Sequence, residues 1–284
     1  GGPAELISRV IAGPLGERLG QPIIVESRPG ASGIIATEAT AKAEPDGHFL
    51  GLFIGGHTVA AALNKNLPYD SVESFQPISS LVFYAFVVAV RADHPARTMQ
   101  ELLAQARAKP GDVTFGSAGN GTTSHLIGEL MKSMAGVSLT HIPYKGDAGS
   151  MAALLSGDIA TSVSTTVLVT PRVQAGKVRA LAITSANRWS GLPAVPTLAE
   201  SGLAGFDATT WAGIMGPKGM PRATVDRLHA EVQRVIGIPE VKARLEQIVG
   251  GEVRGQTPEE MRAMLVSQIG RWTKVVQDAN IKSD

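Results

Sequence analysis

A chain of 284 residues, 44% apolar and 18% charged, is long enough for one large or two medium domains and has the composition of an ordinary globular protein, not a disordered one. A net charge of +1, with both signs spread along the chain and no basic block, argues against a nucleic-acid partner. The absence of cysteine removes disulfides, thiol catalysis and thiolate metal sites together, and the longest apolar runs, such as Leu81–Val90, fall far short of the roughly 20 residues that cross a bilayer.

The chain opens at Gly1-Gly2-Pro3-Ala4, which reads as the turn before a helix with no strand ahead of it and no signal peptide, so residues upstream are expected. Apolar spacing predicts a helix over Leu6–Leu19, ended by Gly20. The β-branched run Ile23-Ile24-Val25 predicts a short strand, closed by Arg28-Pro29-Gly30. A helix over Gly33–Ala43 stops at Pro45-Asp46-Gly47, and a strand over Phe49–Ile54 ends in the loop Gly55-Gly56-His57-Thr58. Leu81–Val90 is β-rich. From Met99 helices and strands alternate: helices at Met99–Ala108, Thr123–Met134, Gly146–Leu155 and Val167–Ala175, strands at Val113–Phe115, Leu139–Ile142, Ile159–Val163 and Ala180–Ile183. That alternation predicts an α/β fold with largely parallel sheets. After a strand at Trp211–Met215 the chain turns helical, over Ala223–Ile236, Pro239–Ile248 and Thr257–Asn280, the last opened by the cap, proline and acids of Thr257-Pro258-Glu259-Glu260.

Val87–Arg91 and Trp211–Met215 flank a self-contained α/β block. They predict two lobes, 1–90 with 217–284 and 91–216, tied by two crossing strands with a ligand cleft between them. Open α/β sheets bind ligands beyond the carboxyl ends of their strands, where the small-residue loops at Gly1–Pro3, Gly55–Thr58 and Ser117–Thr123 fall.

The last of these loops carries the chemistry. Ser117-Ala118-Gly119-Asn120-Gly121 leads into Thr122-Thr123-Ser124 and an amphipathic helix. Glycines allow close backbone approach, Thr and Ser cap the helix, and its first N–H groups have no internal partner, so the loop is an anion site without a charged side chain. It is not a Walker loop, because Thr122 stands where lysine is needed after Gly121, and it lacks the third glycine of the dinucleotide fingerprint. There is no Gly-x-Ser-x-Gly elbow, Ser124 and His125 diverge on a helix, and the six histidines include no His-x-x-x-His pair. No catalytic residue, metal site or cofactor is assigned. His125 either hydrogen-bonds a backbone carbonyl or touches a ligand, and His57 is open between a wall and a packing role. Tyr144 suits a pocket wall better than Lys145, whose default is the surface. Phe83 and Tyr84 either line the cleft or pack in the core. Neutral donors and helix N-termini facing a gap bind a carboxylate, and binding without chemistry is the leading reading.

The string Ser117-Ala118-Gly119-Asn120-Gly121-Thr122-Thr123-Ser124-His125-Leu126, followed by His141-Ile142-Pro143-Tyr144-Lys145-Gly146, resembles the Bug/TctC solute receptors of tripartite tricarboxylate transporters. So do Val25-Glu26-Ser27-Arg28-Pro29-Gly30-Ala31, Leu67-Pro68-Tyr69-Asp70 and Leu192-Pro193-Ala194-Val195-Pro196-Thr197, in order along the whole chain. The resemblance implies a monomeric periplasmic binding protein of the two-lobed, hinged type II form, with an export signal and a first strand ahead of Gly1. Its partners would be a small carboxylate and two membrane transporter subunits, or a sensor kinase in a sensing role; an enzyme acting on an acyl substrate is the remote alternative.

Carried over by position, the carboxylate would lie between Gly1, Gly2 and Ala4 on one side and Ser117, Asn120, Gly121, Thr122 and Thr123 on the other. Gly56, His57 and Thr58 would close the first wall, and the far end of the ligand would face Phe83, Tyr84 and Ser164-Thr165-Thr166. That loop offers hydroxyls and no acid, which favours a non-amino mono- or dicarboxylate, aromatic acids included, over an amino acid.

Overall fold

Helix α1 (Pro3–Leu19) has Glu5 in its first turn and Arg18 in its last, each matched to the helix dipole, and buries Ile7, Val10, Ile11 and Leu15. Chain order continues with α2 (Ile34–Ala41), β1 (Gly51–Ile54), α3 (Gly56–Leu63) and β2 (Phe75–Tyr84). Next come β3 (Phe86–Arg91), α4 (Met99–Ala108), β4 (Thr114–Ser117), α5 (Thr123–Ala135), β5 (Thr140–Pro143), α6 (Asp147–Ser156), β6 (Thr161–Thr165), α7 (Thr166–Gln174) and β7 (Val178–Ile183). The chain closes with β8 (Thr210–Pro217), α8 (Arg222–Ile236), α9 (Pro239–Val249), β9 (Gly251–Val253) and α10 (Pro258–Asp278). This computed structural model describes residues 3–28 and 33–281.

The strands form two sheets, ordered β1-β8-β2-β9 and β5-β4-β6-β3-β7. Each belongs to one of two units: Gly1–Phe83 with Trp211–Thr273, and Tyr84–Thr210 with Lys274–Asp284. The first unit packs Phe53, Phe75, Phe83, Trp211, Met215, Met261 and Leu265 into one cluster. The second packs Val87, Ala89, Met151, Leu154, Ile159, Val169 and Ile183.

Four expectations change. The β-rich run 81–90 breaks at Ala85, and β3 pairs with β6 and β7, so Val87–Arg91 is an inner strand of the second sheet and the division falls after Phe83 instead of at 90. Likewise β8 pairs with β1, which moves Trp211–Met215 wholly into the first unit and the second division from 216 to 210. The sheets are mixed, not largely parallel: β4 runs parallel to β5 and β6, but β3 is antiparallel to β6 and β7, and β1 to β8. Parallel neighbours need a crossover connection, which α5 and α6 supply for β4, β5 and β6, whereas β3 enters the second sheet from the first and lies between β6 and β7 with the opposite sense.

Finally, Ile23-Ile24-Val25 is irregular, with Ile24 88% exposed. A groove of about 1160 Å³ within the first unit is lined by residues 21–28, by Ile11 and Leu15 of α1 and by β1. β-branched residues favour a strand only where a neighbouring strand accepts their backbone bonds, and no described strand pairs with 23–25.

Candidate functional site

In the second unit β4 ends at the fully buried Ser117, and the chain turns through Gly119 (φ +135°) and Gly121 (φ +65°) into α5. Both φ values favour glycine, so the turn depends on those two positions. Thr122 is the N-cap: its Oγ accepts from the His125 N–H and donates to Gly119 O at 2.8 Å. Ser124 Oγ accepts from the Ala118 N–H at 3.0 Å, and the Ser117 and Ala118 carbonyls accept from the Tyr144 and Gly146 N–H groups. The loop is thus closed on itself and on the β5–α6 connection.

Three aromatic rings support it from below. The His141 ring stacks on His125 at 3.8 Å with 10° between planes, and on Phe115 at 4.8 Å. His141 Nε2 is hydrogen-bonded to Ser117 Oγ at 2.7 Å, and His125 Nδ1 accepts from the Gly121 N–H at 3.1 Å. His125 Nε2 lies 3.8 Å from Glu129, which pairs with Lys132 at 2.8 Å. Burial holds His141 down at about 4, with the neighbouring charges of His125 and Lys132 adding to the effect. A neutral His141 therefore fastens Ser117.

What remains for an anion is the start of α5. Helix geometry leaves the N–H groups of Thr123 and Ser124 without an intrahelical acceptor, at the positive end of the dipole. The Thr123 hydroxyl, half-buried, has no hydrogen-bond partner among the described residues. Asn120 is exposed at the loop tip, while Gly121 and Thr122 are half-buried. Ser117, predicted as a donor to the ligand, is buried, and its hydroxyl is spent on His141 and Gly119. His125 Nδ1 meets a backbone amide, where the sequence offered a carbonyl or a ligand contact. Tyr144 packs on the second unit's core beside Gly149, and Lys145 is exposed.

The predicted far-end residues separate. Adjacent strand residues point to opposite faces. Phe83 packs in the first unit's core with the Arg254 guanidinium 4.1 Å above its ring. Tyr84 is buried and hydrogen-bonded to Thr210; burial pushes its hydroxyl up to about 12, Thr210 opposes this, and the charge of Asp147 reinforces it. Ser164 and Thr166 are fully buried. Ser164 closes a hydroxyl relay with Ser162 (2.7 Å) and Ser150 (2.8 Å), and Thr166 Oγ lies 3.5 Å from Ala85 O. Thr165 alone is partly exposed, and its N–H and hydroxyl both donate to Asp147 Oδ2, at 2.9 and 2.6 Å. The expected absence of an acid beside 164–166 is therefore corrected: α6 brings one in. Asp147 is visible in the sequence only as a first-turn acid, since nothing local links it to a residue 18 positions away.

In the first unit Ala4, Gly56 and His57 share the lining of the groove described above. His57 and Thr58, expected in a loop, begin α3. The His57 ring sits among Phe53 (5.0 Å), Phe75 (5.5 Å) and Tyr69 (6.2 Å) and donates from Nε2 to Ser71 O at 2.8 Å. Thr58 is fully buried, its hydroxyl 2.8 Å from Gly55 O. Gly1 and Gly2 lie outside the described residues.

Burial also lowers His57 to about 4. Both His57 and His141 thus take up protons more readily unfolded than folded. Their stabilisation is present above about pH 6.5 and is lost as pH falls toward about 4, on the order of 3 kcal/mol for the deeply buried His57. Urea melts across this interval should show stability falling steadily with acid; an unchanged midpoint would contradict the neutral assignment.

Among the described residues no group of three His, Asp or Glu side chains could hold a metal ion, and no helix is long and apolar enough to cross a membrane. Residues 7–281 match the model of the tripartite tricarboxylate transporter family receptor. The chain is similar over its full length to the periplasmic binding protein BugD (34% identity, 95% of that chain, TM-score 0.84). It is also similar to Rpa4515 of R. palustris, solved with adipate (31% identity, 98% of this chain and 93% of that one, TM-score 0.85). A third likeness is to MatC of Rhodopseudomonas palustris, solved with bound malate (29% identity, 97% and 95%, TM-score 0.81). These are solute receptors, not enzymes, and with the family match across nearly every residue the chain belongs to the TctC/Bug family of periplasmic solute-binding receptors.

Proposed function

We propose that this receptor captures a small organic carboxylate in the periplasm, holds its carboxylate on the N-terminus of α5, and delivers it to the membrane subunits of a tripartite tricarboxylate-type transporter. The observation that carries the reading is the start of α5: two amide N–H groups and the Thr123 hydroxyl, on a loop whose Ser117, Thr122 and Ser124 hydroxyls are engaged within it. An anion there is stabilised by the helix dipole without a lysine or arginine. The adipate and malate bound by similar proteins support the ligand class.

A thermal-shift panel of carboxylates, amines and sugars tests it. A ligand at about a hundred times its Kd stabilises by roughly 2.7 kcal/mol. Stabilisation by amines or sugars and by no acid would sink the carboxylate reading. With a binding acid in hand, Thr123→Val should weaken Kd roughly 10- to 100-fold, the loss of one hydrogen bond to a charged group, while Lys145→Ala leaves it within about twofold. The reverse order would place the anion on the lysine.

A further inference from the structure

We propose that Asp147 is a specificity-determining residue that selects ligands carrying a hydrogen-bond donor, a hydroxyl or an ammonium, at the end remote from the bound carboxylate. The inference rests on the carboxylate reading above and on the expectation that the remote end faces Phe83, Tyr84 and the 164–166 loop, of which Thr165 is partly exposed.

The side chains at this place are not interchangeable hydroxyls. Ser164 and Thr166 are fully buried and engaged within the second unit. Thr165 gives both of its donors, N–H and Oγ–H, to Asp147 Oδ2, so its hydroxyl has only lone pairs left to offer. Asp147 Oδ1 is shielded from solvent and has no hydrogen-bond partner among the described residues. A buried acceptor left unpaired is costly; the residue as a whole is only half-buried, and a turn of its carboxylate that meets a donor on the ligand relieves that cost.

Charge points the same way. Asp147 is the first residue of α6, and Thr165 is the N-cap of α7 but makes no side-chain cap bond, because its hydroxyl is turned to Asp147. The positive ends of two helices are therefore already served by one carboxylate. A second ligand carboxylate would meet an occupied anion position and a like charge, whereas a hydroxyl or ammonium completes the set.

The test is a matched binding panel on the whole protein: butanoate, pentanoate and hexanoate, each with its ω-hydroxy, ω-amino and ω-carboxy derivative, together with 2-hydroxy and 2-amino acids and their unsubstituted parents. Donor-bearing members should bind roughly 10- to 100-fold more tightly than their donor-free partners, and the hydroxy and amino arms separate the two donor types. In Asp147→Asn, Thr165 keeps its acceptor if the amide oxygen faces it, and the amide NH2 then faces the ligand. Preference should reverse toward acceptor-bearing acids, which loss of structure alone would not produce. If carboxylates bind but the donor-free members bind equally well or better, or if Asp147→Asn keeps the wild-type preference, this proposal is overturned while the carboxylate reading stands. If no carboxylate binds, both fall. Should Asp147→Asn fail to fold, the wild-type panel still decides.

Discussion

Gly128→Val is expected to destabilise the second unit by roughly 2–4 kcal/mol and to weaken ligand binding with it. A Cβ at Gly128 would stand 2.1 Å from Phe115 Cε2 and 2.6 Å from its Cζ, closer than real Cβ atoms approach anything. The Phe115 ring is fully buried and stacked on His141, so it cannot retreat without displacing the imidazole that holds Ser117. Valine gains a few tenths of a kcal/mol over glycine in helix propensity, too little to offset the clash. Gly128→Ala should show the same effect at about half the size. Urea unfolding reads the stability and calorimetric titration with a ligand identified from the panel reads the loop; a Gly128→Val protein as stable as wild type would mean that β4 and α5 separate freely.

Trp211→Ala should cost the first unit about 3–5 kcal/mol. Trp211 is fully buried at the centre of the Phe53, Phe75, Met215 and Met261 cluster, and its Nε1–H donates to Gln268 Oε1 at 3.0 Å. Truncation leaves both a cavity and a glutamine without its indole donor. Trp211→Phe keeps most of the volume and loses mainly that bond, so about 1 to 2 kcal/mol is expected. Differential scanning calorimetry should show the shift in the transition that includes the first unit; equal melting of Trp211→Ala and Trp211→Phe would mean that the hydrogen bond, not the packing, dominates.

The loop proposed to hold the anion was legible in the sequence because each of its determinants is local. Gly119 and Gly121 permit the turn, Thr122 caps a helix three residues ahead, and the first N–H groups of α5 are free by helix geometry alone. The resemblance of the same string to the TctC/Bug receptors carried the family for the same reason. The support under the loop was not legible, since His141 is 24 residues from Ser117 and meets it only because β4 and β5 pair in a register that sets His141 opposite Phe115.

The strand expected at Ile23–Val25 shows the same limit from the other side: its propensity is intrinsic to the residues, but a strand exists only with a partner, and no described strand pairs with it. The sequence by itself determined the α/β class, the capped glycine turn and the receptor family. Tertiary structure alone decided where the chain divides, that β3 runs antiparallel to β6 and β7, and that α6 sets an acid beside Thr165. The physical reason is range: caps and turns are satisfied within a few residues, whereas the β3 pairings and the Asp147–Thr165 contact depend on which segments the sheets bring side by side.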